Sequence, residues 1–213
     1  MIYLRIWVEG TGAILLHRAT EEALSNKTRT NTIEAEEDPR TIAGKAVYRL
    51  PGGQIALPGA AFARMLREAG GSHKARGTRK SVKYIVPAAV LVTDEMCGLY
   101  LRDRKTAIKD FEVDSRPVTI PATKGRVMRH RARLNEWAAP VNCRLVETIM
   151  SADMLRTLFI DGGQQIGIGD YRPEKGGPFG TFDVVAWDVL SDPKPKTEAQ
   201  IRNSGRRVKE TPG

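Results

Sequence analysis

The chain is poor in the residues from which most metal sites and covalent mechanisms are built. Its 213 residues include two cysteines and three histidines. Cys97 and Cys143 stand alone, with no CxxC spacing, which argues against a zinc site and predicts reduced, buried thiols. No HExxH, GxSxG, GxGxxG or GK[ST] occurs. Zincin, nucleophile-elbow, dinucleotide and phosphate-loop chemistry are therefore without their usual residues, and neither a metal nor a cofactor is expected. Long apolar runs are also missing. The N-terminal MIYLRIWVEG alternates apolar and polar residues, so neither a secretory leader nor a membrane span is expected, and the thiols fit a reducing, cytoplasmic compartment.

Aromatic residues make up 6% of the chain. Trp7, Trp137 and Trp187 read as core or edge packing, although Trp137 and Tyr171 each lie beside positive charge and are candidates to stack a base.

What the chain has in excess is positive charge, with 34 Lys and Arg against 25 Asp and Glu and a net charge of +9. Its distribution is uneven. The segment from Ser72 to Lys83 carries Lys74, Arg76, Arg79, Lys80 and Lys83 without an acid, and Lys124, Arg126, Arg129, Arg131 and Arg133 form a second acid-free run. In a strand over Val127 to Leu134, Arg129, Arg131 and Arg133 fall on one face, a guanidinium row suited to phosphates. Two such runs favour a nucleic-acid partner over a merely solvated strand face. A third feature is the glycine-rich GIGDYRPEKGGPFGTF, where Gly167, Gly169, Gly176 and Gly177 permit close backbone approach and Arg172 and Lys175 add charge.

Periodicity predicts an α+β fold. Ile2, Leu4, Ile6 and Val8 share one face of a first strand, and residues 20 to 45 read as an exposed polar excursion containing Glu34, Glu36, Glu37 and Asp38. A short strand over Gln54 to Leu57 leads into a helix with Phe62, Met65, Leu66 and Ala69 on one face, opened by Pro58 and closed by Gly70-Gly71. Residues 84 to 94 read as a buried strand with Pro87 at an edge or bulge. Val141 to Ile149 is a further strand, and Ser151 caps a helix that ends at Gly162-Gly163. Gln165 to Gly169 and Phe182 to Val189 complete the sheet. The order fits a ferredoxin-like βαββαβ core with inserted strands and loops, spanning residues 1 to 190 as one nucleic-acid-binding domain. Residues 191 to 213 read as a disordered basic tail.

Two stretches resemble the RAMP superfamily of CRISPR-associated RNA-binding proteins, specifically the Cas-seven-type subunits that form the backbone of effector complexes. GGQIALPGAAFARMLREA, Gly52 to Ala69, is similar to the family's short strand, Pro-Gly-small-small turn and basic helix, with Arg64 and Arg67 in the basic places. Val141 to Phe182 is similar to its last strand, helix and glycine-rich loop. The HRxR…W and GxGDxRP…GxF elements, His130 to Trp137 and Gly167 to Phe182, also resemble a group of short phage-borne proteins. The resemblance implies a subunit that grips the backbone of guide or single-stranded RNA and packs with copies of itself or other ribonucleoprotein subunits. It also implies alternatives: a metal-independent endoribonuclease using His130 or His73, target cleavage by an aspartate before the first helix, for which Asp38 is nearest, or a phage protein binding or annealing single-stranded DNA.

Overall fold

Ile2–Gly10 (β1) is the axis of the molecule because its alternate residues Leu4, Ile6 and Val8 are completely buried. In a computed structural model describing residues 1–18, 37–75, 77–119 and 125–190, β1 pairs antiparallel with two strands. Ala138–Leu145 (β9) lies on one side and Phe182–Leu190 (β10) on the other. Val90–Val92 (β5) joins the far edge of β9, so the sheet runs β10-β1-β9-β5 with every pair antiparallel. A helix over Gly59–Ala69 (α2) precedes β5, and another over Ala152–Asp161 (α4) connects β9 to β10.

The two helices meet each other and cover the apolar face of this sheet. Phe62, Met65 and Leu66 of α2 and Leu155, Leu158 and Phe159 of α4 are buried against Leu4, Ile6, Val141, Cys143 and Phe182. Each such side chain stabilises the fold by about 1.5–3 kcal/mol through removal of apolar surface from water. Both cysteines belong to this core, and burial pushes the Cys97 thiol up to about 12. The molecule is thus α+β.

Two smaller sheets surround the main one. Ile14–Leu16 (β2), Arg126–Leu134 (β8) and Glu112–Thr119 (β7) pair in the order β2-β8-β7. Tyr48–Arg49 (β3), Ile55–Pro58 (β4) and Met96–Gly98 (β6) pair as β3-β4-β6.

Three local expectations need correction. Within the polar excursion, Pro39–Lys45 forms a short helix (α1) packed on β8 and β7, opened by Pro39 and capped by Asp38, whose carboxylate accepts from the amides of Arg40 and Thr41. Residues 84 to 94 are not one strand. Val82–Tyr84 is a 3-10 turn and Val86–Ala89 a helix (α3), because Pro87 lacks an N–H and fits a first helical turn. Gln165 to Gly169 does not enter a sheet. Gly162–Ile166 continues α4 as a π-turn, since Gly162 and Gly163 serve contact rather than termination: a Cβ on Gly162 would lie 1.9 Å from Met65 Sδ. The predicted tail, 191 to 213, lies outside the described residues. No helix among the described residues is long and apolar enough to cross a membrane.

Candidate nucleic-acid interface

The chain runs directly from β4 into α2 at Pro58-Gly59. Glycine is required there, because a Cβ on Gly59 would fall 1.9 Å from the Asp94 carbonyl oxygen. Pro58 offers no capping side chain and the first turn contains no acid; the Gly59 amide donates to Glu95 O (2.8 Å), and the amides after it are left without a side-chain acceptor. Such amides carry the positive end of the helix dipole.

That end of α2 opens into a cavity of about 420 Å³. Its walls are Pro58, Ala60, Ala61 and Arg64 of α2, His17 after β2, Tyr48 of β3, and Gly167, Gly169, Arg172 and Glu174 of the glycine-rich loop. The small side chains of Ala60 and Ala61 keep the entrance wide. Two main-chain bonds fix the loop to β2 and the residue before it, Asp170 N to Leu15 O (2.8 Å) and Gly180 N to Ala13 O (2.9 Å), and a third, Ile168 N to Gly180 O (2.9 Å), closes the loop on itself. Cavity and loop therefore join two stretches about 100 residues apart in sequence.

Three cations converge on one carboxylate in the cavity wall. Arg172 donates to Glu174 through Nε (2.9 Å) and Nη2, and its Nη1 donates to Gly169 O (2.9 Å). Arg64 Nη2 lies 3.4 Å and Lys175 Nζ 3.9 Å from Oε1 of the same Glu174. Nearby, Arg67 and Lys83 both bond Glu68, and the Lys83 ammonium holds the Glu68 carboxyl below its ordinary range. His17 is held below the usual histidine value chiefly by burial, with Asp170 opposing and Arg129 and Arg131 reinforcing the shift.

The arginine row divides by burial. Arg131 is 5% exposed and its Nε donates to Asp170 Oδ2 at 2.6 Å, while its Nη1 is buried without a hydrogen-bond partner. Across the ladder Asp114 is also buried and accepts from Arg116. Arg131 thus does not stand on the outer surface as the row predicted, because the loop lies over it and supplies its counter-charge. Arg126 and Arg129 are exposed, with Arg129 Nη1 3.3 Å from His17 Nε2, and Arg133 donates to Asn135. The glycine-rich loop and the row share one surface.

In the other basic run, Lys74 and Ser81 bridge about a turn at Gly77 that leaves Lys74, Arg79 and Lys80 exposed. Arg76 and Lys124 lie outside the described residues. The loop glycines chiefly accommodate the chain itself: a Cβ on Gly169 would lie 2.6 Å from Leu15 O, and one on Gly177 1.9 Å from Tyr171 O. Gly176 has open space beyond it.

The weak catalytic candidates are dispersed. His73 Nε2 bonds Asp161 Oδ2 (2.6 Å), His130 Nδ1 bonds Ser115 Oγ (2.7 Å), and Asp38 is occupied as the cap of α1. His17, which had no motif partner in the sequence, is the histidine in the cavity wall. Trp137 is fully buried and its Nε1 donates to Gly12 O, so it has no face open to a base. Among the described residues no group of three or more His, Cys, Asp or Glu is placed to hold a metal ion.

No family model and no curated protein matches the chain. Solved structures similar to it include the following two. Cmr6 from Pyrococcus furiosus is 9% identical over 86% of this chain and 98% of its own, with a TM-score of 0.46. A chain of a Type IV-B CRISPR complex is 15% identical over 95% of this chain and 98% of its own, also at 0.46. At that level of likeness neither carries a site or an activity across.

Proposed function

We propose that this chain is a RAMP-like subunit that holds the backbone of guide or single-stranded RNA without cutting it, within a CRISPR-type ribonucleoprotein assembled from copies of itself or other subunits. The observation that carries the reading is the cavity. The two RAMP-like stretches, Gly52 to Ala69 and Val141 to Phe182, are distant in sequence yet meet around it, and they bring an uncapped helix N-terminus, Arg64, Arg172 and Lys175 to one place. Uncapped amides and guanidinium groups are what a phosphate requires. The strand order β10-β1-β9-β5, with α2 before β5 and α4 before β10, supports a ferredoxin-like core. The dispersal of His17, His73 and His130 supports holding over cleavage.

In this arrangement Glu174 occupies the cations until a phosphate displaces it. Fluorescence anisotropy with single-stranded RNA at several salt concentrations tests the reading. Affinity is expected to fall linearly on a log–log scale. Arg64→Ala lowers the slope by roughly one, and Glu174→Gln raises affinity about fivefold at low salt by releasing Arg64 and Arg172 from their shared carboxylate. RNA is preferred over DNA of the same sequence through its 2′-OH. Absence of binding at low salt, or an Arg64→Ala protein with unchanged affinity and slope, overturns it.

A further inference from the structure

Tyr171 has φ +47°, a backbone conformation that side chains other than glycine rarely adopt. The chain forces it there from both sides. Asp170 is pinned by its amide to Leu15 and by its carboxylate to Arg131, and Arg172 is pinned to Gly169 and Glu174. Glycine or asparagine would adopt this conformation with less strain. The tyrosine is only partly repaid by burial: its ring packs beside Phe179, and the residue stays 39% exposed. An aromatic ring held at a strained position and left partly open to water points to a role outside the fold.

Its surroundings indicate what it meets. On the inner side the ring is backed by Gly177, where a Cβ would come within 2.6 Å of Tyr171 Cδ2, and by Phe179, tilted 36° at a centroid distance of 6.1 Å. Arg116 lies over the same Phe179 ring at 4.9 Å and Arg133 at 6.0 Å. Arg129 is exposed on the same face of the β7–β8 ladder, in the cross-strand position from Arg116. This is a partly exposed ring beside guanidinium groups, of which Arg116 is paired with Asp114 and Arg129 is the exposed one. An apolar protein partner would have to desolvate these cations, whereas a single-stranded nucleic acid satisfies both features, its bases stacking and its phosphates pairing with arginine.

We propose that Tyr171 is a stacking platform for an unpaired nucleobase of a single-stranded nucleic acid whose backbone passes the exposed Arg129. The assignment rests on the proposed function and extends it to a second contact, one that recognises a base face. Because every base has such a face, the contact distinguishes single strands from duplex without reading sequence.

The test compares a short single-stranded oligoribonucleotide with the same strand carrying abasic sites, each titrated with wild type, Tyr171→Phe and Tyr171→Gly. Wild type and Tyr171→Phe bind the intact strand about 10- to 100-fold more tightly than the abasic strand. Tyr171→Gly loses that preference, keeps the wild-type salt slope, and unfolds at a denaturant concentration close to that of wild type because relief of the strain offsets the lost packing on Phe179. Deoxyribose strands show the same stacking factor, with any difference in overall affinity reporting the sugar. Salt-dependent binding of both strands alike by wild type overturns the stacking role and leaves backbone holding intact. Binding of neither strand removes both. A Tyr171→Gly protein that retains the preference, or one that is destabilised and weakened equally for both strands, assigns the ring to packing and overturns the proposal.

Discussion

The Arg131–Asp170 pair offers a direct test of whether the glycine-rich loop is held by charge. Arg131 is almost fully buried, and Asp170 accepts from its Nε at 2.6 Å while one-third of the aspartate side chain, 32%, remains exposed. The two partners are therefore unequal. Removing the carboxylate in Asp170→Ala leaves a buried guanidinium without its hydrogen-bonded counter-charge and with no partner for Nη1, Asp114 across the ladder being held by Arg116, which costs about 3–5 kcal/mol. Removing the guanidinium in Arg131→Met keeps the apolar stem and leaves an aspartate that can regain water, at about 1–2 kcal/mol. The double variant Arg131→Met/Asp170→Ala leaves no stranded charge and should lie within about 1 kcal/mol of the milder single variant. In urea unfolding followed by circular dichroism, with a slope of about 2 kcal/mol/M, Asp170→Ala moves the midpoint by about 1.5–2.5 M. Arg129→Ala, on an exposed side chain, is the control and should stay within about 0.5 kcal/mol of wild type. An Asp170→Ala protein as stable as that control, or a double variant no better than Asp170→Ala, refutes the buried-pair argument.

Three further outcomes follow from the same geometry. Gly177→Val places a side chain 1.9 Å from Tyr171 O and should lower stability by about 1–3 kcal/mol in thermal melts, so any loss of binding by it reports misfolding rather than lost backbone contact. Ser151→Ala removes the hydroxyl that accepts from Met154 N at 3.2 Å and should cost about 1 kcal/mol in denaturant unfolding. Burial lowers the His17 value in the folded chain below its ordinary 6.5, so the unfolded state binds more protons in the interval between the two. Stability contributed by neutral His17 is complete above 6.5, falls as pH drops through that interval, and changes no further below it; the difference between wild type and His17→Gln across an acid titration should show this sign.

The elements that the sequence revealed are those whose burial alternates or recurs without interruption. β1 is legible because every second residue from Leu4 to Val8 is buried, and α2 because Phe62, Met65, Leu66 and Ala69 recur on one face. α1 escaped notice because it buries only Ala43, and its stability comes from the Asp38 cap and Pro39, local features that were visible but outweighed by the polarity around them. The π-turn after α4 was hidden for the opposite reason. Gly162-Gly163 is a strong stop signal, yet the pair is used for close contact with Met65 and Phe182.

The basic surface was legible in its residues and illegible in its net charge. Acid-free runs describe neighbours along the chain, whereas the counter-charges arrive from elsewhere in the fold. Glu68 takes Lys83, Asp170 takes Arg131 and Glu174 takes Arg64. Two of these acids belong to the glycine-rich GIGDYRPEKGG itself. The loop therefore brings its own carboxylates to the places where it attaches, Asp170 against β8 and Glu174 facing Arg64 of α2, and the same ion pairs that hold it reduce the charge at its centre. The exposed cations of the two basic runs, Lys74, Arg79, Lys80, Arg126 and Arg129, are not partners of these acids. On the proposed function a polyanion gains most of its charge attraction from these outer residues, while the centre supplies the helix terminus, the cavity and the strained ring. Salt dependence should accordingly fall further on combined substitution of the outer cations than on Arg64→Ala alone, and preference for an unpaired base should follow the loop.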